Sequence, residues 1–289
     1  MIKKTDTFFE YIIFLFLKAM PIEKIQNILI DTHIISSEFL KREVNIDLYL
    51  PSRNMVAGNV RLLLINDGQD LVTMNFKNIL EELNEEKIIT PLLCAGIHCG
   101  PDRKNEYGTA NILNYKGQGA KAGLYTRFIF EELLPFIKSE YAISSFKERS
   151  FCGFSLGGLS ALDIAWNHPE EFSKVGVFSG ALWWRTVSQD NPLFEEEDHL
   201  IMHNEIKKGT YYPGLKFFFE AGALDETADR NHNGIIDSID DTLSLIDELI
   251  KKGYHPQNDI RYLELKEGRH DVTTWARALP EFLKWISSS

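Results

Sequence analysis

Cysteine is scarce in this sequence of 289 residues, which contains only Cys94, Cys99 and Cys152. The number is odd, and Cys94 and Cys152 lie in apolar runs where a free cysteine acts as a small hydrophobic residue. A disulfide framework is therefore not expected, and none of the three has the spacing of a zinc site. Sparse, unpaired cysteines fit a reducing compartment, so we expect a cytoplasmic protein.

A hydrophobic run long enough to cross a bilayer is also missing. The apolar stretch at residues 8–17 follows two lysines, as in a signal peptide, but Glu10 interrupts it and no A-x-A-like site follows. It is much shorter than the roughly 20 residues that a membrane span needs. We interpret residues 1–20 as an N-terminal extension of unclear role and 21–289 as one domain. Export to the periplasm or secretion is the alternative to the cytoplasm.

The chain has no excess of positive charge. It carries 31 Lys and Arg against 42 Asp and Glu, a formal net charge of -11. Such a chain would be repelled by nucleic acid and by anionic membranes, so we expect neither as a partner. An anionic small-molecule substrate would need a local cationic patch.

Internal repeats and low-complexity tracts are absent, and strands alternate with helices along the chain. The patterns predict strands at 44–50, 60–65, 88–97, up to 154, 175–178, 215–219 and 260–265, and helices at 74–85, 120–137, 156–167, 238–252 and 272–286. This alternation predicts an α/β fold with a mostly parallel sheet and helices on both faces. Residues 190–214 break the rhythm and are expected to form a cap or loop over the site.

A G-x-S-x-G motif at residues 153–157 places Ser155 between a predicted strand and a predicted helix. Glycines on either side allow the sharp, strained turn that presents a nucleophilic serine at the edge of a sheet. The motif in this context predicts Ser155 as a catalytic nucleophile. The alternative is that Ser155 simply caps the helix that follows.

A serine hydroxyl needs a general base, and the base needs an acid to orient it. In the α/β-hydrolase arrangement the order is serine, acid, histidine, each after a strand. Asp225 follows the strand at 215–219 and is the preferred acid, with Glu226 as the fallback. His270 follows the last strand and is the predicted base. The alternatives are an aspartate that caps a turn and a surface histidine.

The oxyanion of an acyl-transfer intermediate needs two backbone N–H donors. Leu156 follows the nucleophile directly and supplies one. The Asp67-Gly68-Gln69 segment follows an early strand, so we assign the second donor to Gln69, although a plain Asp-Gly turn is the alternative.

Two further loops follow strands and should surround the site. One holds Tyr107, and the other holds Trp183 and Trp184, which either contact an aromatic ligand or lid, or pack in the core. We expect these three residues to bind substrate.

An acidic loop at 229–240 has the spacing of an EF-hand-like calcium site. Its candidate ligands are Asp229, Asn231, Asn233, Asp237 and Asp240, with the carbonyl of Ile235 and a glycine at the turn. Calcium here would be structural. The alternative is an Asx-rich turn that caps the next helix.

The segments 153–162, 179–184 and 268–275 resemble the putative-esterase family of α/β-hydrolases, most of all its siderophore-esterase branch. The resemblance covers about residues 41–286. It implies an α/β-hydrolase fold, Ser155 and His270 as catalytic residues, Asp67-Gly68 at the oxyanion hole, and Arg103 near the substrate. The calcium-like loop departs from the family, and the position of the acid varies within it.

The sequence therefore predicts a serine carboxylic-ester hydrolase that acts through an acyl-enzyme and needs no cofactor for catalysis. Its partner would be a small-molecule ester, with siderophore-type, other acyl and feruloyl esters as candidates. The alternatives are an acyltransferase that uses the same acyl-enzyme and a non-catalytic, calcium-binding hydrolase-like protein.

Overall fold

The computed structural model describes residues 28–51 and 60–288. The predicted extension at 1–20 lies outside the described residues. Eight strands form one sheet in the order β1-β2-β4-β3-β5-β6-β7-β8. They are β1 Leu29–Ser37, β2 Arg42–Leu50, β3 Arg61–Asn66, β4 Leu92–Ile97, β5 Glu148–Phe154, β6 Lys174–Phe178, β7 Lys216–Gly222 and β8 Ile260–Leu265.

The pairing of strands confirms the predicted sheet. Strand β2 runs antiparallel to β1 and to β4, and all pairs from β4 to β8 are parallel. Parallel strands end at one edge of a sheet, so the loops after β3, β4, β5, β6, β7 and β8 are brought together there. The predicted site residues follow these strands.

Helices cover both faces of the sheet. They are α1 Phe76–Glu85, α2 Arg103–Glu106, α3 Ala122–Arg127, α4 Leu134–Glu140, α5 Leu156–Asn167, α6 Glu196–His199, α7 Ile201–Lys208, α8 Asp237–Lys252 and α9 Val272–Ser287. A π-helical turn at Phe128–Leu133 joins α3 to α4 where one long helix was predicted. No helix of the described ranges is both long and apolar enough to pass through a membrane.

Strand β3 shows how the two cores arise. Its side chains alternate, with Leu62 and Leu64 in one buried cluster and Leu63 and Ile65 in the other. The first cluster includes apolar side chains of α5, α7 and α8, and the second includes those of α1 and α9. A strand buried on both faces has a continuous apolar run, which is why its sequence predicted it well.

The structure differs from the prediction at the first strand. Strand β1 at Leu29–Ser37 lies at the edge of the sheet, and Leu29, Ile30 and Ile34 are exposed. Because apolar side chains on this strand do not face the core in a regular alternation, the sequence showed no clear strand signal. The predicted cap at 190–214 contains α6 and α7, and α7 buries Ile201, Met202 and Ile206 in the core.

Candidate active site

Ser155 lies at the turn from β5 into α5, with φ 55° and ψ −122°. This backbone conformation is strained for a residue with a side chain. Its N–H donates to the carbonyl of Phe178 (2.8 Å), and its own carbonyl accepts from Ala181 N–H (3.1 Å). The turn is therefore fastened to the end of the neighbouring strand, which holds the strained serine in place.

The flanking glycines are required by space. A Cβ at Gly153 would lie 2.4 Å from backbone atoms of Gly157, and a Cβ at Gly157 would lie 2.4 Å from Oδ2 of Asp67. The Ser155 hydroxyl makes no capping hydrogen bond to α5. The geometry thus matches the strained nucleophile turn rather than an ordinary helix cap.

The loop after β3 brings the predicted oxyanion-hole residues to the same edge. Asp67 has φ 61°, and a short 3₁₀ turn follows at Gly68–Asp70. A Cβ at Gly68 would lie 2.3 Å from the carbonyl carbon of Gly96, so only glycine fits. Among the hydrogen bonds of the described residues, none is donated by the backbone N–H of Gln69 or Leu156. Both amides are available to a ligand.

An ion pair that the sequence did not predict supports this loop. Asp67 is buried and accepts two hydrogen bonds from Arg103, Nε to Oδ1 and Nη2 to Oδ2, each 2.7 Å. Nη2 of Arg103 also donates to the carbonyl of Phe154 (3.2 Å), just before Ser155. Although burial opposes the charge, the contacts with Asp67 raise the pKa of Arg103. Most donors of Arg103 thus bind the protein.

The loops after β7 and β8 carry the predicted acid and base. A Cβ at Gly222 would lie 2.5 Å from the carbonyl carbon of Gly268, so two glycines allow these loops to touch. Oδ2 of Asp225 accepts from Gly222 N–H (3.2 Å). His270 is partly exposed, and its ring lies edge-on to Trp275, at 5.3 Å between centroids.

The electrostatics favour Asp225 over Glu226 as the acid. Partial burial lowers the pKa of His270. The negative charge of Asp225 raises this pKa, and the positive charge of Arg103 lowers it further. Glu226 has no corresponding effect on His270. In the described part of the chain no hydrogen bond joins Ser155, His270 and Asp225 to one another, and Oδ1 of Asp225 has no partner. The triad stays a prediction.

A second unpredicted feature lies beneath Asp225. Trp275 Nε1 donates to Ser179 Oγ (2.9 Å), which lies 3.4 Å from Oε2 of the buried Glu220. Burial, and then the charge of Asp225, raise the pKa of Glu220 to about 8. Burial also raises the pKa of Asp225, and the nearby Ser179 hydroxyl acts against this rise.

Three residues predicted to bind substrate are placed differently from one another. Tyr107 is fully buried, and its hydroxyl accepts from Asp67 N–H (3.3 Å). Trp184 is 1% exposed and packs against Gly108. Both side chains support the site from behind, so the expectation that they touch substrate is corrected. Trp183, at 36% exposed, remains at the surface.

The predicted calcium loop has its side-chain oxygens engaged within the chain. Asp229 accepts from the N–H groups of Asn233 (3.1 Å) and Gly234 (3.0 Å), and Asn231 donates to Asp240 (2.7 Å). Within residues 28–51 and 60–288, no group of three or more His, Cys, Asp or Glu side chains could hold a metal ion.

Comparison with known proteins shows the family of this chain. The family described as "Putative esterase" matches residues 37–286. The iron(III) enterobactin esterase of Escherichia coli (strain K12) is 28% identical over 160 residues, 53% of this chain and 33% of that protein. The uncharacterized protein YjcH of Bacillus subtilis (strain 168) is 28% identical over 141 residues, 48% of this chain and 56% of that protein.

Solved structures confirm the α/β-hydrolase fold. The enterobactin esterase FES from Shigella flexneri, crystallised in the presence of enterobactin, has a TM-score of 0.69 at 21% identity and covers 90% of this chain and 58% of its own. The BES protein from Bacillus cereus has a TM-score of 0.65 at 19% identity and covers 90% and 95%. The chain spans only 33% to 56% of the curated relatives named above.

The pKa of Glu220 predicts a pH-dependent stability. Its folded pKa of about 8 exceeds the ordinary 4.5, so its contribution is fully present below pH 4.5 and is lost as pH rises through 8. Glu220→Gln mimics the protonated acid. We expect it to be more stable than the wild type at pH 9, on the order of a few kcal/mol, and no more stable at pH 4.5.

Urea unfolding at several pH values measures this difference. The matched control is Glu267→Gln, since Glu267 is exposed and should show no such trend. A Glu220→Gln effect of equal size at pH 4.5 and pH 9 would contradict a buried neutral acid.

Proposed function

This chain belongs to the putative esterase family, and we propose that it is a serine carboxylic-ester hydrolase that acts through an acyl-enzyme on Ser155. One observation carries the proposal. The strained turn at Ser155 follows β5, and the loops that carry Gln69, Asp225 and His270 follow strands that end at the same edge of the sheet, while the backbone N–H groups of Leu156 and Gln69 have no partner among the described residues. This arrangement suits attack on a carbonyl carbon.

In the proposed reaction, Ser155 Oγ attacks the ester carbonyl while His270 takes the hydroxyl proton. The N–H groups of Leu156 and Gln69 stabilise the oxyanion of the tetrahedral intermediate. The intermediate collapses, the alcohol leaves with the proton from His270, and the acyl group stays on Ser155. Water then attacks, gives its proton to His270, and releases the carboxylic acid and the free serine.

For the substrate we propose a small-molecule ester, with siderophore-type, other acyl and feruloyl esters as candidates. The names of the enterobactin esterases and of a ferulic acid esterase with a TM-score of 0.65 and 14% identity support this range. An acyltransferase remains the alternative, since an alcohol can replace water at the acyl-enzyme. Product analysis with added alcohols distinguishes the two. A non-catalytic protein is the second alternative.

We propose the cytoplasm as the compartment of this protein, since all three cysteines are free.

A fluorophosphonate probe tests the nucleophile. We expect the wild type to be labelled and to hydrolyse activated aryl esters, and Ser155→Ala to lose labelling and roughly 10³-fold or more of the rate. Ser139→Ala is the control, because Ser139 is an exposed serine remote in sequence from the motif. Equal labelling and rate in the wild type and Ser155→Ala would remove the enzyme proposal.

The pH dependence tests the base and the acid. The base must be neutral, so kcat/KM should rise with pH around a midpoint below the ordinary histidine value of 6.5. Because the Asp225 carboxylate favours the protonated ring, Asp225→Asn should lower the His270 pKa further and cut the rate roughly 10³-fold or more.

NMR titration of the His270 ring measures this shift without requiring activity. If Glu226→Gln, rather than Asp225→Asn, moves the titration and the rate, the acid is Glu226.

We also propose a structural calcium ion in the 229–240 loop. The contacts of Asp229 with the fifth and sixth residues, and the positive φ of Gly234 (86°), support an EF-hand-like path. Asp237 would have to turn away from Arg230, to which its Oδ2 lies at 3.4 Å.

The melting temperature of the protein in calcium and in EDTA tests this proposal. We expect calcium to raise the melting temperature above that in EDTA, and Asp229→Ala to abolish the difference. Magnesium is the ionic-strength control. Identical wild-type curves in calcium and EDTA would contradict the site.

A further inference from the structure

A cavity of about 300 Å³ lies between the loops that follow β6 and β7. The loop after β6 is joined to the nucleophile, because Ala181 N–H donates to the Ser155 carbonyl. The loop after β7 carries the predicted acid, Asp225. The residues that line the cavity include Tyr115, Lys116, Trp183, Arg185, Gln189 and Glu226. The cavity thus lies between a loop that is hydrogen-bonded to Ser155 and the loop that carries Asp225.

Arg185 is a buried cation that the protein does not neutralise. It is 8% exposed, and its Nη groups donate to two neutral acceptors, the carbonyl of Trp183 (3.2 Å) and Oε1 of Gln189 (3.0 Å). Its Nε has no hydrogen-bond partner, and no carboxylate of the described residues forms an ion pair with it. Burying an unpaired charge is costly, so such a group calls for a role.

Aromatic rings hold the guanidinium in position. Its central carbon lies 5.4 Å from the ring of Tyr115, 5.5 Å from Trp183 and 5.8 Å from Phe194. The backbone of Arg185 is also fixed. Its carbonyl accepts a hydrogen bond from Tyr115 N–H (2.9 Å), and Arg185 forms an isolated antiparallel β-bridge with Leu200. The cation is therefore held ready before any ligand arrives, which reduces the ordering cost of binding.

Among the described residues, neither carboxylate that lines the cavity forms an ion pair with Arg185. Asp237 accepts from the Arg230 N–H (2.8 Å) and pairs with its guanidinium, so its charge is compensated within the chain. Glu226 is the remaining acid, and burial followed by the charge of Asp237 raises its pKa. Lys116 brings a second cation. The cavity thus contains two basic side chains, Lys116 and Arg185, and the guanidinium of Arg185 has no carboxylate partner among the described residues.

We propose that this cavity binds an oxygen anion carried by the ester substrate, a carboxylate or an ionised phenol, and that Arg185 is the residue that selects it. The inference rests on the proposed Ser155 hydrolase. A guanidinium recognises such groups through directional, charge-assisted hydrogen bonds. The partly exposed ring of Trp183 provides a flat apolar surface beside it for the carbon skeleton that carries the anion.

The test compares pairs of esters that differ only in the anion. One pair has an acyl chain ending in a carboxylate or in its methyl ester, and the other has an acyl ring with an ionised nitrophenol or its methyl ether. For each pair the ratio of kcat/KM, anionic to neutral, is measured. This ratio does not depend on the fraction of folded enzyme, so a partly unstable variant still gives a valid result.

We expect the wild type to prefer the anionic member of at least one pair by roughly tenfold or more, and the responding pair identifies the kind of anion. Arg185→Gln should bring that ratio to about one, and Arg185→Lys should restore part of it. The charge-matched control is Arg261→Gln, an exposed arginine of β8 outside this cavity, which should keep the wild-type ratio.

A wild-type ratio near one for both pairs would overturn the inference and leave the hydrolase proposal intact. A preference that persists in Arg185→Gln would overturn the role of Arg185 in the same way. An absence of both hydrolysis and fluorophosphonate labelling in the wild type would instead overturn the proposed function.

Discussion

The ion pair between Asp67 and Arg103 joins three segments of the site. Its carboxylate lies against the space that Gly157 leaves open, its loop carries the proposed oxyanion donor Gln69, and its guanidinium holds the carbonyl of Phe154. Breaking a buried pair from one side costs about 3–5 kcal/mol, because the remaining charge is left unpaired. The same guanidinium lowers the pKa of His270. One contact therefore supports the turn at Ser155 and also influences the pKa of His270.

Around the predicted acid, Asp225, burial limits the number of negative charges by raising the pKa of the neighbouring Glu220. Two carboxyl groups, Glu220 and Asp225, lie near the hydroxyl of Ser179, which has a single proton to give. Because the pKa of Glu220 is about 8, Glu220 is mostly protonated at neutral pH, and the negative charge of the cluster falls to Asp225, whose charge raises the pKa of His270. In the proposed reaction a lone carboxylate would stabilise the imidazolium, whereas two adjacent charges would repel each other in a buried setting.

Much of the fold could be predicted because the central strands are buried on both faces, and because helices such as α1, α8 and α9 bury one face while α5 is apolar along most of its length. Strand β8 and helix α5 have the predicted bounds, whereas β1 was missed because its edge position leaves no regular apolar pattern. Local motifs identified Ser155 and its glycines. Asp67 as the partner of Arg103, and Glu220 beneath Asp225, depend on contacts between distant segments, so no local pattern shows them. Trp183 and Trp184 were adjacent and alike in sequence, and only the backbone direction separates the exposed ring from the buried one.

The contact between Gly222 and Gly268 has a consequence for how this scaffold can change over evolution. Neither position has room for a Cβ, so any other residue at either glycine would push apart the loops that carry Asp225 and His270. The segment of α6 and α7 lies outside this contact. Sequence changes at this edge of the sheet are therefore expected to spare the two glycines and to accumulate in the segment of α6 and α7.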